Sequence, residues 1–163
     1  MTIRALVMGM MVGWAALAAG LAVAQEAGSG YPWFGSLKKH EVNVRSGPGN
    51  QYPILWVYQR AGYPVDVLAR YDNYYKIRDV EGEEGWVYIG MVSRKATAVV
   101  GGQTPANLSR HASLGSPLVA RLAPGVVVDL GECQQVAEAG TLCAAETPEV
   151  RGWIAKRNLE MVR

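Results

Sequence analysis

Residues 42–53 read VNVRSGPGNQYP. Val42 and Val44 alternate with Asn43 and Arg45, the period of a strand with one buried face. A serine and the run Gly47-Pro48-Gly49 follow at once. A phosphate-cradling loop would continue into Lys and Ser or Thr and open a helix. Here Gly49 is followed by Asn50-Gln51-Tyr52-Pro53, a poor helix start. The two glycines loosen the backbone and Pro48 fixes φ between them. The stretch therefore reads as the turn that closes the first strand of a small β unit.

That unit occurs twice. Val42-Asn43-Val44 is answered by Ala106-Asn107-Leu108, and Tyr52-Pro53 by Ser116-Pro117. Gly62 stands four residues before Asp66, as Gly125 stands four before Asp129. Gly85-Trp86-Val87 is answered by Gly152-Trp153-Ile154. Between the copies lies GGQTP, residues 101–105, whose glycines and proline read as a linker. Tyr63, Val65 and Val67 alternate, and Val126, Val128 and Leu130 repeat the phase. Short alternating runs broken by Gly and Pro indicate antiparallel sheet, and a copy of this size suits a closed barrel. The expected organisation is a first barrel over 37–93, a linker over 94–105 and a second, divergent barrel over 106–163. The first copy has one more residue between Pro53 and Gly62 than the second has between Pro117 and Gly125, which a β-bulge would absorb.

The chain opens MTIRALVMGMMVGWAALAAGLAVAQ. One arginine, an uncharged apolar run and the closing Ala22-Val23-Ala24 describe a secretory signal peptide over 1–24. A retained anchor is the rival reading, since about 20 apolar residues span a bilayer. Cleavage leaves no expected membrane span and places the protein in the periplasm or outside the cell. With 16 basic and 14 acidic residues the charge is nearly balanced, which excludes the basic face that nucleic acid requires. Cys133 and Cys143 are the two cysteines, and in an oxidising compartment they are expected to form a disulfide.

Asn43-Val44-Arg45-Ser46-Gly47-Pro48-Gly49, Tyr52-Pro53, Gly62, Val65 to Val67, Tyr74-Tyr75-Lys76-Ile77 and Gly85-Trp86-Val87 resemble the bacterial Src-homology-3-like (SH3-like) domain of exported proteins. The resemblance implies an all-β fold of two small SH3-like barrels in tandem. It also implies cell-envelope ligands, either a cell-wall (peptidoglycan) peptide or an envelope protein. The second copy departs from the pattern, with Ser109-Arg110-His111 at the R-S-G-P turn and an enlarged segment from Cys133 to Cys143.

Catalytic arrangements are not indicated. The two cysteines and two histidines could supply a thiol nucleophile and a base, but a structural disulfide is the favoured reading; no G-x-S-x-G elbow is present, and no cofactor or metal ligand set is expected. Asp79, Glu81, Glu83 and Glu84 read as a solvated turn. The aromatics are more informative. Tyr52, Trp56, Tyr58, Tyr63, Tyr71, Tyr74, Tyr75, Trp86 and Tyr88 fall in the first copy, whereas the second keeps Trp153. So small a barrel cannot enclose them all, and grouped surface rings form recognition grooves. Alternation puts Tyr75, Ile77 and Val87 inside. Tyr52, Tyr74, Trp86 and Tyr88 are the expected groove, with Arg45 at its rim for a carboxylate. The expected function is non-catalytic binding in the envelope; the alternative is an accessory subunit that docks a separate envelope enzyme.

Overall fold

The computed structural model describes residues 30–160. The expected signal peptide lies outside the described residues. None of the helices within them is long and apolar enough to cross a membrane.

The fold is all-β, in two sheets of seven strands. The first holds β1 (Trp33–Leu37), β2 (Val42–Arg45), β3 (Ile54–Tyr58), β4 (Pro64–Tyr71), β5 (Tyr74–Arg78), β6 (Glu84–Tyr88) and β7 (Val92–Ser93). The second holds β8 (Thr97–Val100), β9 (Ala106–Ser109), β10 (Leu118–Leu122), β11 (Val127–Val136), β12 (Gly140–Glu146), β13 (Arg151–Ala155) and β14 (Leu159–Glu160). The first sheet runs β3-β2-β6-β5-β4-β1-β7 and the second β10-β9-β13-β12-β11-β8-β14. Each strand of the first thus has a counterpart seven numbers later, in the same place.

Each sheet curls round its own core. Leu37, Val42, Val44, Val65, Val67, Ile77, Val87 and Val92 fill the first. The second is filled by Ala98, Val100, Ala106, Leu108, Leu122, Val128, Cys143, Ala145, Ile154 and Leu159. Two glycine pairs keep the cores closed. A Cβ on Gly85 would collide with Val44, and one on Gly152 would sit 2.5 Å from the Ser109 carbonyl oxygen. The G-W-V and G-W-I glycines therefore let β6 and β13 press onto the neighbouring strand. Gly62 and Gly125, at φ 77° and 83°, turn the chain into β4 and β11 with a backbone that L side chains disfavour.

Three features differ from the sequence expectation. The first barrel begins at Trp33, because β1 pairs with β4 from Trp33↔Val67 onward. The expected linker contains β8, which pairs with β11 and β14. All four β8 residues are buried. Ala98 and Val100 enter the second core, while a Cβ on Gly62 of the first barrel would come within 4.0 Å of the Thr97 methyl. A strand covered on both sides shows no alternation, so its sequence carries no period-two signal. Finally, the extra residue of the first copy is not held in a bulge peculiar to it. Both copies carry the same bulge, where β3 and β10 pair with β2 and β9. The extra residue lies in the longer turn from Tyr58 to Gly62.

Cys133 and Cys143 form a disulfide between register partners on β11 and β12.

Candidate functional site

The outer face of β5 and β6 gathers most of the expected groove. Tyr74 pairs with Tyr88, Lys76 with Trp86 and Arg78 with Glu84. Arg45 of β2 pairs with Trp86 from the other side, and Tyr71 of β4 pairs with Tyr74. Directly opposed residues share one face of a sheet, as do residues two apart along a strand. Tyr71, Tyr74 and Tyr88 therefore form one row, Lys76, Trp86 and Arg45 the next, and Arg78 and Glu84 a third. Tyr75, Ile77 and Val87 lie on the inner face and pack on the core, as alternation implies.

Within this frame the rings differ in role. Tyr74 is only 9% exposed, although read as a surface ring. Its hydroxyl donates to Oδ1 of Asn50 at 2.8 Å, and its ring meets Tyr88 edge-on at 6.1 Å. It forms the floor. Tyr88, 48% exposed, stands above it, and Tyr71 and Tyr52 are exposed beside the same end. The Tyr52 ring lies so close over Gly47 that a Cβ there would enter it. Gly47 has no positive φ, so this position needs a missing side chain rather than the backbone freedom expected of it. Arg45 is also not simply a rim cation. Its Nη1 donates to the carbonyls of Asn50 at 3.2 Å and Tyr52 at 2.8 Å, clamping the turn that carries Tyr52. Asn50 and Tyr71 were absent from the expected site. Tyr71 was recoverable from its place opposite Tyr74; Asn50 joins through a turn whose shape the sequence does not specify.

The third row is charged. Glu84 accepts Nζ of Lys76 at 2.7 Å and Nη2 of Arg78 at 2.7 Å, and these bonds hold its carboxyl below the usual carboxylate range. Lys76 and Arg78 thus lie across the strand next to Trp86 with their charge partly met.

The acidic turn departs from expectation at one residue. Asp79 is buried rather than solvated. Its Oδ1 accepts the amides of Glu81 and Glu83 at 3.0 and 2.9 Å, and its Oδ2 accepts the Tyr58 hydroxyl at 2.5 Å. Burial, then the bond to Asp79, pushes the Tyr58 phenol far up, so it stays a neutral donor. Tyr63, stacked on Tyr58 at 5.1 Å, is also raised by burial. These two rings line a cleft of about 480 Å³ where the barrels meet, together with Arg60, Val99, Pro124 and Glu160. Both carboxylate oxygens of Asp79 accept protein donors, so the group holds a turn.

The bacterial SH3 domain family model matches residues 38–94, which span the R-S-G-P turn, the aromatic rows and the G-W-V glycine. Residues 38–94 are a bacterial SH3 domain. The match covers about a third of the chain. The solved structures of NlpC2 and NlpC1 from Trichomonas vaginalis are similar to this chain at 13% and 14% identity, each with a TM-score of 0.35. They cover 80% and 87% of this chain, and the chain covers 48% and 51% of theirs, about half their length. Comparison with curated proteins returns no match. In the SH3 domain the exposed rings belong to the outer face and to the turn after β2, while the opposite end of β3 faces the second barrel.

Proposed function

We propose that the chain is a non-catalytic binding protein of the bacterial cell envelope whose bacterial SH3 domain takes a cell-wall peptide on the outer face of β5 and β6. The observation that carries this is the row Tyr71–Tyr74–Tyr88 beside Trp86, on a domain of this family. An extended peptide lies well on aromatic rings held by a rigid sheet, and Lys76 and Arg78 offer cations to its carboxylates. The disulfide fits an extracytoplasmic setting. The second barrel, with the same strand order, is read as a divergent domain of the same kind.

A sedimentation assay with insoluble peptidoglycan tests the reading. Tyr88→Ala removes an exposed ring and leaves Tyr74 in place. A ring anchor is worth about 2 kcal/mol or more, so binding should weaken about thirtyfold with the fold intact by circular dichroism. Undiminished binding by Tyr88→Ala, or none by the parent protein, defeats the proposal.

One feature favours the second reading, a subunit that docks an envelope protein. β3 is the end strand of its sheet, uncharged along ILWVY, with Leu55 51% exposed. Such an edge accepts a further strand from a partner.

A further inference from the structure

The second barrel carries a hollow beside Trp153. Trp153 holds the place of Trp86, opposite Ser109 rather than Arg45 and opposite Ala144 rather than Lys76. Glu146 and Arg151 face each other where Arg78 and Glu84 do in the first barrel, with the charges exchanged. A hollow of about 460 Å³ is lined by Trp153, Ala144, Gly131, Arg110, Glu146 and Arg151, among others, with alanine where the first barrel has Lys76. Gly131 lies in the interrupted register of β11 between Leu130 and Cys133, and a Cβ there would come 3.1 Å from that of Ala144. The floor is thus made of the smallest residues. The Cys133–Cys143 disulfide ties the two floor strands together next to Ala144. Asp129, also at the edge, has its Oδ2 on Nζ of Lys95 at 2.7 Å, which leaves the two guanidiniums in excess over Glu146.

We propose that this hollow is a second binding site and that it takes a sugar acid. An indole offers a flat apolar face matched to the C–H face of a pyranose ring. Glu146 accepts ring hydroxyls, and the guanidiniums of Arg110 and Arg151 suit a carboxylate through paired N–H donors. The volume lies in the range of small-molecule sites. The site is independent of the aromatic rows of the first barrel.

The full chain, ¹⁵N-labelled, is titrated with sodium glucuronate while the indole N–H resonance of Trp153 is followed, assigned with Trp153→Phe. Glucose and sodium acetate are the control titrants. The expected result is a saturating shift with glucuronate, and binding of glucose and of acetate at least about tenfold weaker, because each lacks one half of the recognised chemistry. Ala144→Lys restores the residue type of the first barrel and should abolish the shift. Arg151→Ala, on the exposed rim, should weaken binding about fivefold or more and serves where Ala144→Lys does not fold. Absence of saturation, equal response to glucose or acetate, or full binding by a folded Ala144→Lys or Arg151→Ala protein overturns the proposal.

Discussion

Asp66 and Asp129 stand at the same point of the two barrels, four residues after a glycine of positive φ, and their surroundings are opposite. Asp66 is 4% exposed; it faces Arg78 in register and its Oδ2 has no hydrogen-bond partner among the described residues. Asp129 has a side chain 43% exposed, with Lys95 on it. The same divergence recurs nearby. Tyr58 bonds the turn-holding Asp79, whereas Leu122 takes the place of Tyr58 opposite the first residue of β9. In the second barrel Thr147 holds the corresponding turn, its Oγ1 accepting the amides of Glu149 and Val150. Strand order, the G-W glycines and the apolar phase are common to both barrels, because each is needed to close the sheet on its core. Polar groups at the margins are free to differ as long as every turn amide finds an acceptor. The lesson is that one frame supports two unlike surfaces.

The disulfide is the largest difference in stabilisation. Its short loop, with a sequence separation of 10, contributes roughly 2.5 to 3 kcal/mol through the entropy of the unfolded chain. Cys133→Ser with Cys143→Ser should therefore speed hydrogen exchange throughout the second barrel and leave the first unchanged. Equal acceleration in both would mean that the barrels unfold as one unit and that the contrast has no energetic meaning.

Tyr58→Phe comes next. It leaves a buried oxygen of Asp79 without its donor, at a cost of about 1–3 kcal/mol, and the loss should be confined to the first barrel in the same exchange measurement. A neutral result would show that water takes the place of the phenol, and that the leucine of the second barrel is an equivalent solution.

The smallest effect sharpens the aspartate pair. Burial pushes the Asp66 carboxyl up, with Arg78 opposing. A raised folded value means that the folded state holds the proton more tightly. Its stabilising effect is present below the unfolded value near 3.9 and is lost as pH rises through the folded value. Asp66→Asn should raise the melting temperature at pH 7 and leave it unchanged near pH 3, where both side chains are neutral. Glu84, held low by Lys76 and Arg78, has the opposite sign and is common to parent and variant, so it cancels. Asp129→Asn should change stability by less than about 1 kcal/mol at either pH, since an exposed ion pair contributes little. A melting curve insensitive to Asp66→Asn at pH 7 would place the carboxylate in water and make the two aspartates alike.

From the sequence alone came the all-β class, the cysteine pairing, the turn after Arg45 and the inner face of β5 and β6. All of these rest on near neighbours: alternation sorts side chains strand by strand, and glycines and prolines act where they stand. The tertiary structure alone decided that β8 is a strand, that Tyr74 is buried rather than exposed, that Arg45 clamps its own turn, and that Asp79 is buried. It also decided that a hollow lies beside Trp153, with Ala144 at the place that Lys76 holds beside Trp86. Each depends on which distant segment comes to rest against a residue. Burial from a second side erases the period that a strand shows in sequence, and a charged or hydroxyl group has no fixed partner until the fold supplies one.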